Sequence, residues 1–432
     1  MPQDFPTIQA AITAARGGDT ILIAPGTYSE SLKITQSLTL QGQSRDAVTL
    51  QGNRQDPTVT ITRVQDVTIT DLTIRDGSGG TGDQGRGGGL HIEDSAVTLR
   101  NLIVRNNLRN GLLARRSTLT VRDSQFSSNQ FDPAGKVGRG ITLVQSNATI
   151  ENSTISGNAG GAVGVLGSQA QIRGNSVTDN GFGIDVFDNE GKASKAVIEN
   201  NTIARNVEEG ILVSDKSEAE IVNNRITDNK PDAKGEFGDG IAVDKNGRAT
   251  IRDNTISDNA GVGLDLSENA HATLENNTIA RNVEDGIFVT DNSEVQILNN
   301  RIIDTKANAQ GKFGRGIALT DSARVTITSN TITGNKEYGI GLGRAVQATI
   351  LKNTISDNGG GIFIGFGDVS GETAQAEISQ NTIQNNSDCG VLVDSDEPQI
   401  RITGQGNNIT DNRRGNLCGD MFKFPPGFGG GR

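Results

Sequence analysis

The sequence predicts an all-β chain, a single-stranded parallel β-helix of three sheets and about 15 coils with a short N-terminal capping helix, because it repeats at a solenoid's period. The segment NNTIARNVEEGI at Asn200–Ile211 returns as NNTIARNVEDGI at Asn276–Ile287, with looser copies between them. A Gly-apolar step falls at Gly89, Gly111, Gly140, Gly161, Gly183, Gly210, Gly240, Gly263, Gly286, Gly316, Gly339, Gly361 and Gly390. Its intervals are 21 to 23 residues, or 27 to 30 where a loop is inserted. Within an interval, three short runs, such as Ile211–Val213 and those around Ile221 and Ile226, put apolar residues at every second position. That is strand periodicity, not helix periodicity. Leucine-rich repeats are similar in length but need a Leu-dense consensus that is missing here. Stacking each strand on its equivalent about 4.8 Å away is the economical solution.

Two rows of asparagine fit the stacking. One comprises Asn175, Asn201, Asn224, Asn254, Asn277, Asn300, Asn330, Asn353 and Asn381. The other runs from Asn106 through Asn129, Asn158, Asn180, Asn206, Asn229, Asn259 and Asn282 to Asn412, broken only at Thr305. Asparagine tolerates the left-handed conformation of a sharp corner, and stacked amides hydrogen-bond from copy to copy. Both rows are read as architecture.

A solenoid grows by adding coils, so 432 residues do not count domains. Fifty-six glycines, no tryptophan and 3% aromatic residues suit a thin core. The net charge of −11 argues against nucleic acid and anionic membranes as partners, and no run approaches the apolar length of a membrane span. The opening MPQDFPTIQAAI has neither the basic nor the apolar region of a signal peptide. This fits a cytoplasmic chain, or an extracellular or periplasmic one whose leader was removed.

Residues 1–18 read as the capping helix. Ile8, Ala11, Ile12 and Ala15 share one face, Pro6 suits the first turn and Gly17 the stop. Such a helix covers the open end of the first coil and blocks strand addition there. Residues 19–412 are the β-helix, with Thr20–Ala24, Leu32–Ile34, Leu38–Leu40 and Val48–Leu50 as its first strands. Residues 413–432 form a C-terminal cap and tail, where Met421, Phe422, Phe424 and Phe428 concentrate. Cys389 and Cys418 lie 29 residues apart, one long coil, and read either as a disulfide or as two buried thiols.

PTIQAAITAARGGDTILIAPGTYSESLKI, followed by LTLQG, resembles the opening segment of the right-handed parallel β-helix, or pectin-lyase-like, superfamily. The later GIxV…NxIxxN coils resemble the repeat modules of carbohydrate-binding and sugar-hydrolysis domains. Together these resemblances cover nearly the whole chain and imply a right-handed coil, which the crossover preference of parallel strands also favours. They imply little about chemistry. The QAVAL, DFIFG and LGRPW segments of pectin methylesterases are absent, as are the vWiDH and RxPxxR motifs of pectate lyases. So are the GHG and RIK motifs of polygalacturonases and the DPHE of mannuronan epimerases. No catalytic residue carries over by motif. Two His and two Met disfavour the copper-linked β-helix proteins.

Function on a solenoid sits in insertions lined up on one face. Three related ones precede the Gly-apolar strand, at Gln130–Arg139, Lys230–Asp239 and Lys306–Arg315, with a Gly-rich stretch, Gly77–Gly88, at the equivalent earlier corner. Two more, Asp188–Lys195 and Gly365–Ala374, follow that strand. They flank it like the walls of a shallow trough. Alternation points Asp265, Phe288 and, two residues further along, Asp244 outward to solvent, with Asp239, Asp285, Arg315 and Tyr338 just before the glycine. Asp244 and Asp265 fall on adjacent coils about 8 Å apart. That separation suits acid and base in inverting glycoside hydrolysis, for which carboxyls stand about 6.5–9.5 Å apart. The catalytic candidates are therefore Asp239, Asp244, Asp265 and Asp285. Phe237, Phe288, Phe313, Arg315 and Tyr338 are the ligand-binding candidates, since sugar sites combine apolar platforms with a few placed polar groups. Aspartates at the corner after the strand read as turn chemistry, and a row of them lacks the convergence that Ca²⁺ requires. No metal or cofactor is expected. His91 and His271 read as isolated surface residues.

Three function classes follow. The first is a non-catalytic monomer binding a polysaccharide or a protein surface along the trough. The second is a polysaccharide hydrolase or lyase using the aspartates of the same face. The third is a structural rod.

Overall fold

The computed structural model describes residues 4–79, 85–133, 135, 137–366, 374–394 and 400–429. Parts of the Gly77–Gly88 and Gln130–Arg139 insertions, most of Gly365–Ala374 and the last residues of the tail lie outside them. Among the described residues the strands form three sheets of 16 strands each, each coil giving one strand to each sheet. Every pairing between them is parallel, as between Leu264–Leu266 and Ile287–Val289. The chain clusters into two compact units, Met1–Val207 with Ser217–Ala219 and Glu208–Lys216 with Glu220–Arg432. No helix among the described residues is long and apolar enough to cross a membrane.

In the first unit, helix α1 (Ile8–Ala14) buries Ile8, Ala11 and Ile12. Thr7 caps its start, the side-chain oxygen accepting from Ala10 N at 3.1 Å, and the Glu30 carboxylate accepts from the N–H groups of Ile8 and Gln9. The helix stops at Ala15, which turns extended (ψ 153°), before the glycine expected to end it. In the third sheet of this unit Leu32, Val59, Leu90, Leu112, Ile141, Val163 and Ile184 stack in one fully buried row. The second unit repeats the pattern with Ile211, Ile241, Leu264, Ile287, Ile317, Ile340 and Ile362.

The recurring glycine has a steric cause. A Cβ on Gly240 would stand 2.5 Å from both the Gly263 carbonyl oxygen and Ile256 Cγ2, so the corner closes only without one. The asparagine rows are ladders, with a different physical basis from the one expected. The ladder residues are not themselves left-handed; the residue before each is, as at Asp253 (φ 59°), Asn276 (φ 56°) and Arg281 (φ 54°). The ladder amides are buried and run from coil to coil. Asn254 Nδ2 donates to Asn277 Oδ1 at 3.0 Å, and Asn277 Nδ2 to Asn300 Oδ1 at 2.9 Å. One assignment shifts: Asn107, not Asn106, starts the second row, donating to Asn129 Oδ1.

After the third-sheet strands from Ile211–Val213 to Ile317–Leu319, two consecutive residues are left-handed, as at Lys245 and Asn246 or Asp291 and Asn292. The turn closes through Gly247 N donating to Asp244 O at 2.7 Å, and Ser293 N to Thr290 O at 3.1 Å. This is the turn chemistry read at that corner. Cys389 and Cys418 form a disulfide with Cα atoms 6.1 Å apart, which decides between the two readings. Phe428 is buried, and its carbonyl accepts from Asn407 Nδ2 at 3.0 Å.

Candidate functional site

The candidate residues gather on the outer face of the third sheet in the second unit. The strands Ile241–Val243, Leu264–Leu266, Ile287–Val289 and Ile317–Leu319 pair in register, placing Ala242, Asp265, Phe288 and Ala318 in one outward row. Ala242 and Ala318 are nevertheless buried, as are Asp239, Asp285 and Arg315. The expectation of a plainly solvent-facing strand is thus corrected. Alternation tells which side of a strand a residue leaves from, not whether the neighbouring coils and insertions seal it there.

Three carboxyls meet electrostatically on this face. Asp239 ends the insertion Lys230–Asp239, and its Oδ1 accepts from Val262 N at 2.6 Å. Gly261 makes that bond possible, because a Cβ there would lie 2.2 Å from Asp239 Oδ1. Burial, then the negative charge of Asp265, with Glu284 adding to it, pushes Asp239 up to about 7. Burial, then Asp244, with Asp291 and Glu268, pushes Asp265 up to about 7 as well. Among the described residues, neither Asp265 Oδ1 nor Asp244 Oδ1 has a hydrogen-bond partner, although both atoms are sealed from solvent. The ammonium of Lys245 stands 4.0 Å from Asp244 Oδ2.

Asp285 lies differently. It is held in a buried bidentate pair with Arg315, Nε to Oδ1 at 3.0 Å and Nη2 to Oδ2 at 2.7 Å, and it also accepts from Arg315 N. The guanidinium stands 5.3 Å from the ring centroid of Phe313 and 3.7 Å from Glu337. Tyr338 stacks on Phe363 with centroids 4.9 Å apart, while Phe288 neighbours Asp265 directly in the outward row. Asp239, Asp244 and Asp265 are therefore brought together, and Asp285, Arg315 and Phe313 form a separate cluster. Tyr338 joins Phe363, an aromatic outside the expected binding set. Glu284, Glu337 and Gly261 also shape the site, and only burial and the fold of the insertions reveal their part. Among the described residues no three His, Cys, Asp or Glu side chains converge as metal ligands do.

Comparison of the related insertions isolates what is unusual. They end GKVGRG, GEFGDG and GKFGRG, so Arg139, Asp239 and Arg315 occupy equivalent places. Each arginine neutralises a buried outward aspartate. Arg139 pairs with Asp185 at 2.5 Å in the first unit, through space left by Gly164, and Arg315 pairs with Asp285. In the middle insertion an aspartate stands instead, and its neighbour on the face is another aspartate. In the first unit His91 proves buried, not a surface residue. Its Nδ1 accepts from Gly87 N at 3.4 Å, and burial pushes it down to about 4 against the pull of Glu93.

The coil architecture defines a parallel β-helix solenoid. The chain belongs to the right-handed β-helix region family, whose sequence model matches residues 57–194, 162–314 and 308–412. No curated protein sequence matches it. Among solved structures it is similar to the periplasmic alginate epimerase AlgG, at 12% identity over 92% of this chain and 79% of that one, with a TM-score of 0.47. It is also similar to an alginate lyase from Paenibacillus sp. str. FPU-7, at 16% identity over 62% and 91%, TM-score 0.40. A third likeness is to the catalytic unit of a GH87 alpha-1,3-glucanase from Streptomyces thermodiastaticus strain HF3-3, at 16% identity over 98% and 62%, TM-score 0.42. Similarity at that level decides nothing about chemistry, so function is argued from the site.

Proposed function

We propose that this chain is a polysaccharide hydrolase whose acid–base groups are Asp239, Asp244 and Asp265. The observation that carries the reading is the exchange at the middle insertion, where an Arg–Asp pair gives way to two coupled aspartates. Burying like charges together destabilises a fold, and groups perturbed in this way concentrate where chemistry needs them. In the proposed reaction Asp265, kept protonated by burial and by the charge of Asp244, donates its proton to the glycosidic oxygen as the C–O bond breaks. Asp244, about 8 Å away along and across the strands, takes a proton from the water that attacks the anomeric carbon from the opposite side. Proton exchange with solvent then restores both carboxyls. The charge of Asp265 in turn helps to hold Asp239 in its protonated range, and the Asp285–Arg315 pair positions the neighbouring wall. The reaction uses only these carboxyls and water.

A second reading, a non-catalytic binding module, is favoured by one observation: Phe237 and Phe313 are 52% and 40% exposed on equivalent insertions. Reducing-end release from a panel of polysaccharides separates the two. Wild type is expected to release new ends without an absorbing unsaturated product, and Asp265→Asn to lose about 10²–10⁴-fold in rate with its melting transition intact. Binding without release would establish the binding module, and an absorbing product would indicate elimination.

A further inference from the structure

Building on the hydrolase reading, we infer that the substrate is an uncharged polysaccharide, bound internally along the coil stack of the second unit, with sugars stacked on Phe237 and Phe313 on either side of the carboxylates. The two phenylalanines are held, not merely exposed. Each has a left-handed backbone (φ 64°), which a bulky residue adopts only where its surroundings impose it. The glycine after each is also left-handed, Gly238 at 99° and Gly314 at 101°. The insertions are pinned alike: Asp232 Oδ1 accepts from Lys234 N and Glu236 N, and Asn308 Oδ1 from Gln310 N and Lys312 N. In the first unit Val137 takes the equivalent place with the same backbone (φ 71°). The loop fold therefore does not require an aromatic at this place. The first unit's insertion exposes Phe131 at its start, and only the two insertions of the unit that carries the carboxylates hold one just before the second glycine.

Register fixes the spacing. Ile241, Leu264, Ile287 and Ile317 stack on successive coils, so the insertions bearing Phe237 and Phe313 are three coils, about 14 Å, apart. Asp265 lies one coil from the first and two from the second. A chain laid across both rings thus passes the carboxylates at an internal bond and not at its end. The charges select the kind of chain. Asp239, Asp244 and Asp265 face the path, with Asp291, Glu268 and Glu284 near them. Of the cations on the face, Arg315 is engaged with Asp285 and Glu337, and Lys245 stands beside Asp244. A uronate carboxylate set among these groups would meet like charge at a part-buried surface, whereas a neutral sugar offers C–H faces to the rings and hydroxyls to the acids.

Native gels cast with soluble neutral glucans, xylan, alginate or polygalacturonate test this on the wild-type chain. At least one neutral polymer should retard it and neither polyuronate should. Phe237→Ala with Phe313→Ala should weaken that retardation at least about tenfold with an unchanged melting transition. Retardation by no neutral polymer, or by a polyuronate as strongly, overturns the inference, as does unchanged affinity in the double variant. Should the alanines lower the melting transition, Phe237→Leu with Phe313→Leu keeps apolar bulk without a planar face, and full affinity there overturns it equally. Turnover is scored separately by reducing ends. A neutral polymer bound through both rings but never cleaved refutes the hydrolase and leaves the binding surface standing.

Discussion

Asp265 departs from an ordinary carboxylate because burial and its acidic neighbours act in one direction, and Asp239 shares the same cause. An aspartate near 7 when folded, against an ordinary 3.8, binds its proton more tightly in the folded state. The associated stabilisation is complete below 3.8 and is lost as pH rises to about 7, at about 1.4 kcal/mol per pH unit for one group. His91, pushed down to about 4 from an ordinary 6.5, acts the other way between those values and offsets one of the two aspartates there. Asp94 and Asp258, held low chiefly by hydrogen bonds from Arg116 and Arg281, oppose them only as pH falls below 3.8. Between about pH 4 and 7 the melting temperature of wild type should therefore fall as pH rises, and that of Asp265→Asn should fall less steeply. Melting curves across that range decide it, and parallel slopes would mean that Asp265 titrates as an ordinary surface aspartate. Asp244 is half-buried with one sealed oxygen, so it is no longer the neutral surface position that alternation alone suggests.

On the scale of the element, strand and insertion carry different kinds of residue. Ile241, on the strand, is fully buried, and truncating it to Ala should cost about 2–5 kcal/mol. Phe237, on the insertion just before it, is half-exposed, and Phe237→Ala should stay within about 0.5 kcal/mol. Urea unfolding of the two variants checks both values. Similar costs would show that the insertion is pinned by its phenylalanine and would remove the platform role. The kinship of the three insertions was legible in the sequence as GKVGRG, GEFGDG and GKFGRG. Their different charge partners were not, because Asp185 lies two coils beyond Arg139 whereas Asp285 lies one coil before Arg315. No fixed spacing in the chain encodes that choice.

Over the whole molecule, repetition makes stability local, each coil depending on those it touches. Asn254 accepts from the backbone and side-chain amides of Asn224, and Asn277 accepts likewise from Asn254. Asn254→Ala and Asn277→Ala each strip a buried amide of its acceptor, so each should cost about 1–3 kcal/mol, equal to within about 0.5 kcal/mol. Unfolding free energies that differ widely would show that the rungs are not equivalent. The repeat by itself determined the three parallel sheets, the inward Ile and Leu rows, the glycine corners and the asparagine ladders except for Asn107 and Asn407. Each of those features depends only on a residue's place within its own coil, and that place recurs along the chain at a readable interval. Only the tertiary structure decided that the alanines of the outward row are buried while Asp265 and Phe288 stay part-exposed, that Asp285 is neutralised while Asp239 and Asp265 couple to one another, and that His91 is buried. These outcomes depend on which side chains of different coils and insertions meet across the face, and on how much water remains between them. Neither leaves a period in the sequence.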